Sequence, residues 1–367
     1  MKYLGDTRRA DPQQAMPGVR SVIVCALTYN TKYPRTAQAW ADSGDAERQS
    51  QEPRGWISRY AWGDDYHQVL RAKLESLLES VHLHNPEPFE ARIYADTGPI
   101  NERVLAKRAG LGWLGKNTLL LNERLGSFFF LGTILTTLDL EPPPRSPQFP
   151  PPDRCGSCRK CIDACPTAAL VEPYVMDARK CISYLTIELR SAIPQGLREA
   201  MGQHIFGCDI CQDVCPWNRN APVTGAEEFE PRVYWQKNLQ AATMEFEAAD
   251  PQTEDPQAEP LSSGGTSGAS RQSLFMPGLE WLASLSEPEF REVFRDSPIK
   301  RTKWKGLIRN VCVALGNSKI TRGSDTRLRI SRLLARLAAS GEPSIAESAQ
   351  WAVSRIQAKD VSSDFRF

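Results

Sequence analysis

The sequence predicts a chain in parts: a mixed α/β domain over residues 1–150, a cysteine-bearing domain over 151–222, and a helical domain over 273–367. An acidic, Gly/Ser-rich linker or insertion over 223–272 separates the last two. Three observations carry this reading. Apolar runs of strand composition alternate with helical periods in the first part, the pattern of an α/β sandwich. Eight of the ten cysteines fall between Cys155 and Cys215. The C-terminal part repeats apolar side chains three and four residues apart.

Residues 21–29 (SVIVCALTY) form a continuous β-favouring run, as expected of a strand buried on both faces. Residues 66–82 place Val69, Leu70, Leu74, Leu77, Leu78 and Val81 on one helical face. Residues 91–95 read as a short strand ending at Asp96. Residues 99–109 read as a helix with Pro99 at its first position and Gly110 as its stop. Residues 128–138 read as a second buried strand. The proline-rich segment 142–152 is a hinge, and the 223–272 segment has the composition of a partly disordered insertion.

In the last part, Ser286-x-x-Glu289 is a capping box that opens a helix over 288–295. Trp304, Leu307, Ile308, Val311, Cys312 and Leu315 make one apolar face. Leu328, Leu333, Leu334 and Leu337 make a second, and Ile345, Ala349, Ala352, Val353 and Ile356 a third. Paired short helices of this kind predict two HEAT-like units.

A net charge of +1 leaves no whole-protein electrostatic footprint, so any nucleic-acid contact must be a local patch. The longest apolar stretch, 128–138, is short of the ~20 residues a membrane span needs. Residues 1–9 carry charges and no apolar stretch, unlike a signal peptide. The expectation is a cytoplasmic monomer with no membrane contact.

Cys155, Cys158, Cys161 and Cys165-Pro166 are spaced C-x2-C-x2-C-x3-C-P. Bacterial ferredoxins hold iron–sulfur clusters with this run, and its fourth cysteine ligates the other cluster. The partner run is Cys208-x2-Cys211-x3-Cys215-Pro216, but the slot three residues before Cys208 is Ile205. Cys181 is the nearby thiol that can replace it. The cysteines then divide into two sets, each for one [4Fe-4S] cluster in a ferredoxin-like domain. Cys155, Cys158, Cys161 and Cys215 form one; Cys165, Cys181, Cys208 and Cys211 form the other. Zinc knuckles do not use triplets closing in Cys-Pro, and disulfides need an oxidising compartment. Cys25 and Cys312 sit in apolar runs and read as core residues.

Three further features admit two readings each. Lys300, Arg301, Lys303 and Lys305 surround Trp304 in a basic run, either a solvated face or a phosphate-binding patch. Asp96 is either a turn or cap aspartate or a proton donor at a strand end, where α/β ligand sites gather. Gly110-x-Gly112-x-x-Gly115-Lys116 follows a helix and lacks the Ser/Thr of a phosphate loop, so both nucleotide fingerprints fail. Its glycines leave room for close approach to a large ligand.

The segments RRADPQQAMPGVRSVI, GWISRYAWGDDYH, YADTGPINERVLAKRAGLGWLGKNTLLLN, GSFFFLG, the first cysteine run, CISYLTIE and FGCDICQDVCPWNR together resemble the epoxyqueuosine reductase family. The likeness runs in order over about residues 8–220 and resumes at SPIKRTKWKGLIRNVCVALGNS. It implies a cobalamin-dependent iron–sulfur enzyme that removes the epoxide oxygen of epoxyqueuosine at the wobble base of tRNA, fed by an external low-potential electron donor. It assigns a cobalamin-binding α/β domain to residues 1–150 and tRNA binding to the helical domain. Asp96 in YADTGP would be the acid, kept protonated by burial against the cofactor. Arg9, Tyr60, Asp96, Leu120, Leu131 and Ser183, with the glycine-rich stretch, would line the cobalamin. Lys300, Arg301, Lys303 and Lys305 would hold tRNA. No histidine motif suited to cobalt ligation appears among His67, His82, His84 and His204. Two other readings compete: a ferredoxin-like electron-transfer protein without a substrate, and a corrinoid reductive dehalogenase acting on small molecules.

Overall fold

The computed structural model describes residues 5–35, 51–141, 152–236 and 270–363. The predicted hinge, Pro152 excepted, and residues 237–269 of the predicted insertion lie outside the described residues. The N-terminal part is built on three strands: β1 (Ser21–Thr28), β2 (Ala91–Ala95) and β3 (Phe129–Thr136). They pair antiparallel in the order β1-β3-β2. All of β3 except Leu131 is buried. It holds the centre, as its near-continuous apolar run anticipates. β1 corrects the expectation of burial on both faces: it is an edge strand, half-buried along its length.

Helix α1 (Tyr66–His84) packs on the sheet through Leu70 and Leu74, each 2 % exposed. The contact is close because β3 presents Gly132 there; a Cβ at that position would meet Leu74 at 2.7 Å. Helix α2 spans Glu102–Arg108, three residues later than the predicted start. Ile100 explains the delay: its side chain is buried with Met16, Val19 and Leu135, so the chain dips into the core before the helix begins. Gly110, at φ 83°, follows the helix as expected.

The C-terminal part contains α3 (Lys303–Asn317), α4 (Asp325–Ala338) and α5 (Pro343–Ser363). The capping box at Ser286 and Glu289 is formed, opening Glu287–Val293. The second predicted face is corrected at Leu328, which is 54 % exposed; Thr326, Ile330, Leu334 and Leu337 carry the buried stripe. One apolar core joins distant parts of the chain: Ile57, Trp62 and Phe206 pack with Leu279, Leu307, Val311 and Ile345. The short strand Trp56–Ile57 also pairs in parallel with His204–Phe206. Among the described residues, no helix is long and apolar enough to cross a membrane.

Arg309 follows the basic run by four residues in sequence but is 1 % exposed. Its guanidinium donates to the carbonyls of Leu185, Leu189 and Ser191 at 2.6–2.7 Å, capping the end of Ile182–Ile187. Asn310 donates to the carbonyls of Thr186 and Ile205, both at 2.8 Å. Arg309→Met leaves those carbonyls buried and unpaired. It is expected to lower the unfolding free energy by about 3 kcal/mol or more, read from the denaturant midpoint at unchanged m-value.

Candidate active site

A cavity of 520 Å³ opens where the ends of β2 and β3 meet the second cysteine run. Arg9, Tyr60, Asp96, Leu120, Leu131 and Ser183 all line it. So do Cys165, Cys181, Cys208 and Cys211, one complete predicted ligand set; none of Cys155, Cys158, Cys161 or Cys215 does. The wall thus joins aromatic and aliphatic side chains to four thiols, with Asn101, Arg103, Asn117 and Ser183 supplying polar groups. No described histidine lines it.

Asp96 stands directly after β2. Its Oδ2 accepts from the Tyr66 hydroxyl at 2.8 Å and lies 3.3 Å from His67 Nε2. The other ring nitrogen, His67 Nδ1, is 2.7 Å from Asp65 Oδ1, and Asp65 Oδ2 pairs with Lys300 Nζ at 2.7 Å. Asp65 is also the N-cap of α1. One helix start therefore sets the whole group: the cap places Asp65, and the first turn places Tyr66 and His67. Tyr66 is fixed further by stacking on Phe130, ring centroids 4.2 Å apart.

The protonation pattern differs from the one expected. Hydrogen bonding to His67 holds the Asp96 carboxyl below its ordinary value; burial pushes the other way, and Tyr66 lowers it again. About half of the side chain (49 %) is exposed, and Asp96 lines the cavity. His67 carries the proton instead. Burial disfavours its charge, but the hydrogen bonds to Asp65 and Asp96 outweigh this and raise it to about 9. Burial works against the Asp65 carboxylate too, yet His67 and Lys300 hold it well below the usual range. Glu102, also in the cavity wall, is pushed up to about 7, chiefly by burial.

None of the ten cysteines forms a disulfide. Burial raises Cys215 and Cys161, and each is raised further by neighbours in its own predicted set, Cys215 by Cys155 and Cys158, and Cys161 by Cys215 and Cys155. Cys208 is raised by burial and by Cys211 and Cys181. Cys211 is raised by burial and then by Cys181, Asp209, Cys161 and Cys165. Such crowded thiols suit a cationic iron core, since coordination removes their protons outright.

Two adjacent residues, of which Asn117 lines the cavity, hold the cysteine loops. Lys116 Nζ donates to the carbonyls of Gly156 and Cys158, the latter at 2.9 Å, and Asn117 donates to the carbonyl of Cys211 at 3.4 Å. The glycines beside them are corrected: Gly110, Gly112 and Gly115 do not line the cavity. A Cβ at Gly112 would meet the Leu121 carbonyl at 1.9 Å, and one at Gly115 the Leu121 side chain at 2.5 Å. They close the hairpin Trp113–Leu114/Leu120–Leu121. Of the basic run, Lys300 pairs with Asp65, Arg301 with Glu188 at 2.6 Å, and Lys305 with Glu342; Lys303 is exposed at the start of α3.

Sequence reasoning missed Tyr66, His67, Glu102, Lys116 and Asn117. Only Asp65-x-His67 ahead of a helical period carried a usable signal, an acid at N-cap with a histidine in the first turn.

A model of the 4Fe-4S double cluster binding domain matches residues 154–218. With the cavity against one cysteine set, this defines an iron–sulfur protein with a ligand site at its cluster domain. A second model, described as epoxyqueuosine reductase QueG, DUF1730, matches residues 9–97. The chain is 41 % identical over 323 residues to an epoxyqueuosine reductase of Gloeobacter violaceus, covering 87 % of this chain and 83 % of that one. It is 36 % identical over 351 residues to one from Pseudomonas aeruginosa, covering 95 % and 80 %. A solved structure of epoxyqueuosine reductase with an epoxyqueuosine-modified tyrosine tRNA stem loop matches with a TM-score of 0.71 at 30 % identity, covering 95 % and 76 %. The chain belongs to the epoxyqueuosine reductase family.

The raised His67 has a sign that can be measured. Its folded value lies above the ordinary 6.5, so its contribution to stability is full below pH 6.5 and is lost as pH rises through about 9. The unfolding free energy is expected to fall across that window, and His67→Gln to flatten the fall. Denaturant titrations at several pH values, with the His67 ring followed by NMR, check both.

Proposed function

We propose that the protein reduces epoxyqueuosine to queuosine at the wobble position of tRNA. The observation that carries this is the cavity: Asp96, with its Tyr66 and His67 partners, stands in one wall, and four thiols stand in another. An acid is thereby set in the same space as an electron-transfer ligand set. Removing the epoxide oxygen as water requires two electrons and two protons, so both walls are needed.

Cobalamin, when bound, supplies a low-potential cobalt nucleophile that can open an epoxide. Tyr60, Leu120 and Leu131 would cover its faces, and Arg9 and Ser183 its polar edge. A lining without histidine suits a corrin that takes no imidazole from the protein. Cys165, Cys181, Cys208 and Cys211 would hold the inner [4Fe-4S] cluster, and Cys155, Cys158, Cys161 and Cys215 the outer one, which receives electrons from an external low-potential donor. His67 Nε2, protonated at neutral pH, would pass its proton to the Asp96 carboxylate, which in turn delivers it to the leaving oxygen.

In this reading residues 1–150 form the cobalamin domain, 151–222 the ferredoxin-like domain and 273–367 the HEAT-like tRNA-binding domain of a cytoplasmic monomer. Lys300, Arg301, Lys303 and Lys305 would meet the RNA backbone, exchanging carboxylate partners for phosphates at three of the four positions. The small-molecule dehalogenase reading leaves that basic surface without a role.

Asp96→Asn keeps the size of the side chain but cannot usefully transfer a proton. Positioned acids contribute ~10²–10⁴-fold, so the variant should convert epoxyqueuosine at least about a hundredfold more slowly in single turnover, with clusters and tRNA binding intact. A parent rate would return Asp96 to a turn residue. Cys181→Ala should lower iron from about eight per chain towards half, with one cluster signal lost in EPR. Full iron with both signals would overturn the ligand sets.

A further inference from the structure

The reaction as proposed leaves one cavity carboxyl, Glu102, without a part. Its position explains how the acid is aimed. Asp96 takes φ 60°, in the left-handed region that non-glycine residues avoid. The Thr97 N–H donates back to the Ala95 carbonyl at 2.7 Å, closing a three-residue turn with Asp96 at its centre. A γ-turn with positive φ is the rare, strained form. Strain of this kind persists only where the surroundings over-determine it.

Two groups hold the turn through its backbone. The Asp96 N–H donates to Glu102 Oε1 at 2.8 Å. At the far end, the Gly98 carbonyl accepts from Arg9 Nη1 at 3.0 Å. Glu102 is the first residue of α2, where a carboxylate is favoured by the helix dipole. The helix itself is anchored by Ala106, with no exposed surface, and Ile100, 1 % exposed, buries the loop that leads into it. The grip therefore comes from a fixed element.

We infer that Glu102 is the positioning residue of the acid: its Oε1 accepts from the Asp96 amide and so keeps the strained turn in the conformation that aims the Asp96 carboxyl at Tyr66, His67 and the cavity. The inference rests on Asp96 being the acid. Without the acceptor, residue 96 relaxes towards extended backbone, and its side chain turns away, because successive side chains of a strand point to opposite faces. Glu102 itself transfers no proton in this assignment. An amide at position 102 can therefore replace it.

The test uses the full chain with its clusters, added cobalamin and a low-potential chemical reductant, and an epoxyqueuosine-containing tRNA stem loop. Glu102→Ala, Glu102→Gln and Asp96→Asn are compared in single turnover, in tRNA affinity, and in amide hydrogen exchange of the peptide containing residues 95–97. Glu102→Ala should slow conversion about ten- to hundredfold, the scale of a small misplacement. It should leave tRNA affinity unchanged and speed exchange at residue 96. Glu102→Gln should restore both rate and protection. Should the alanine variant not fold, Glu102→Asp, which shortens the reach, must show the same losses.

Parent-like exchange in Glu102→Ala would overturn the inference, as would a glutamine variant as slow as alanine with its amide protected, since that makes Glu102 a proton carrier. If Asp96→Asn turns over at the parent rate, the assignment of the acid has failed, and the exchange result alone decides whether Glu102 holds the turn.

Discussion

The placement of the thiols depends on a pair of adjacent side chains, Lys116 and Asn117. Both cysteine runs are short turns and single-turn helices, Lys160–Asp163 and Ile210–Asp213, with little apolar surface of their own. Lys116, 9 % exposed, pulls the carbonyls of Gly156 and Cys158 onto the hairpin. Asn117 takes Cys211 from the other run. A buried ammonium is costly unless its donors are used; here it meets two carbonyls beside a thiol set that becomes anionic on binding iron. A polar knot does the same work lower down: Gln212 and Asn218 both donate to the Ser127 hydroxyl, at 3.1 and 2.9 Å. These contacts fix both cysteine runs, of which Cys165, Cys208 and Cys211 stand in the cavity wall.

The opposite wall follows from sheet packing. Gly132 lets α1 sit close on β3, and that brings the first turn of α1 to the end of β2. Tyr66 and His67 then meet Asp96 without a long side chain having to bridge a gap. Lys300 completes the line from outside through Asp65, so the C-terminal part reaches the acid group. Arg59 and Asp209 tie the rim together: the Arg59 N–H donates to Asp209 at 2.6 Å, and its guanidinium, 5 % exposed, takes the carbonyls of Thr31, Tyr33 and Pro34.

Much of this was legible in the residues. Cysteine spacing is a local signal, since each run sets its thiols at turn intervals, and the match to a 4Fe-4S double cluster binding domain falls over those runs. The buried run of β3 and the capping box at Ser286 are local as well, and both appear as read. What failed was non-local. Nothing in residues 21–29 says that another strand takes the centre of the sheet and leaves β1 at its edge. The start of α2 moved because Ile100 found a pocket made by residues 15–19 and 135. Arg309 looked like its basic neighbours, yet carbonyls more than a hundred positions away buried it. The charge of Asp96 depended on His67, twenty-nine residues earlier, and no spacing rule links the two.

The core shared by Ile57, Ala61, Trp62 and Phe206 with residues 274–356 has a consequence for biogenesis. During synthesis these side chains leave the ribosome well before the helices that cover them. The α/β half therefore emerges with an apolar face uncovered, the kind of surface that draws chaperones and aggregates at high expression. The order of assembly is constrained too. The cysteine runs are translated in the interval, so iron can reach the nascent chain before the final helices close over Phe206. A truncation before α3 would leave that face bare for the life of the protein, whatever the state of its thiols.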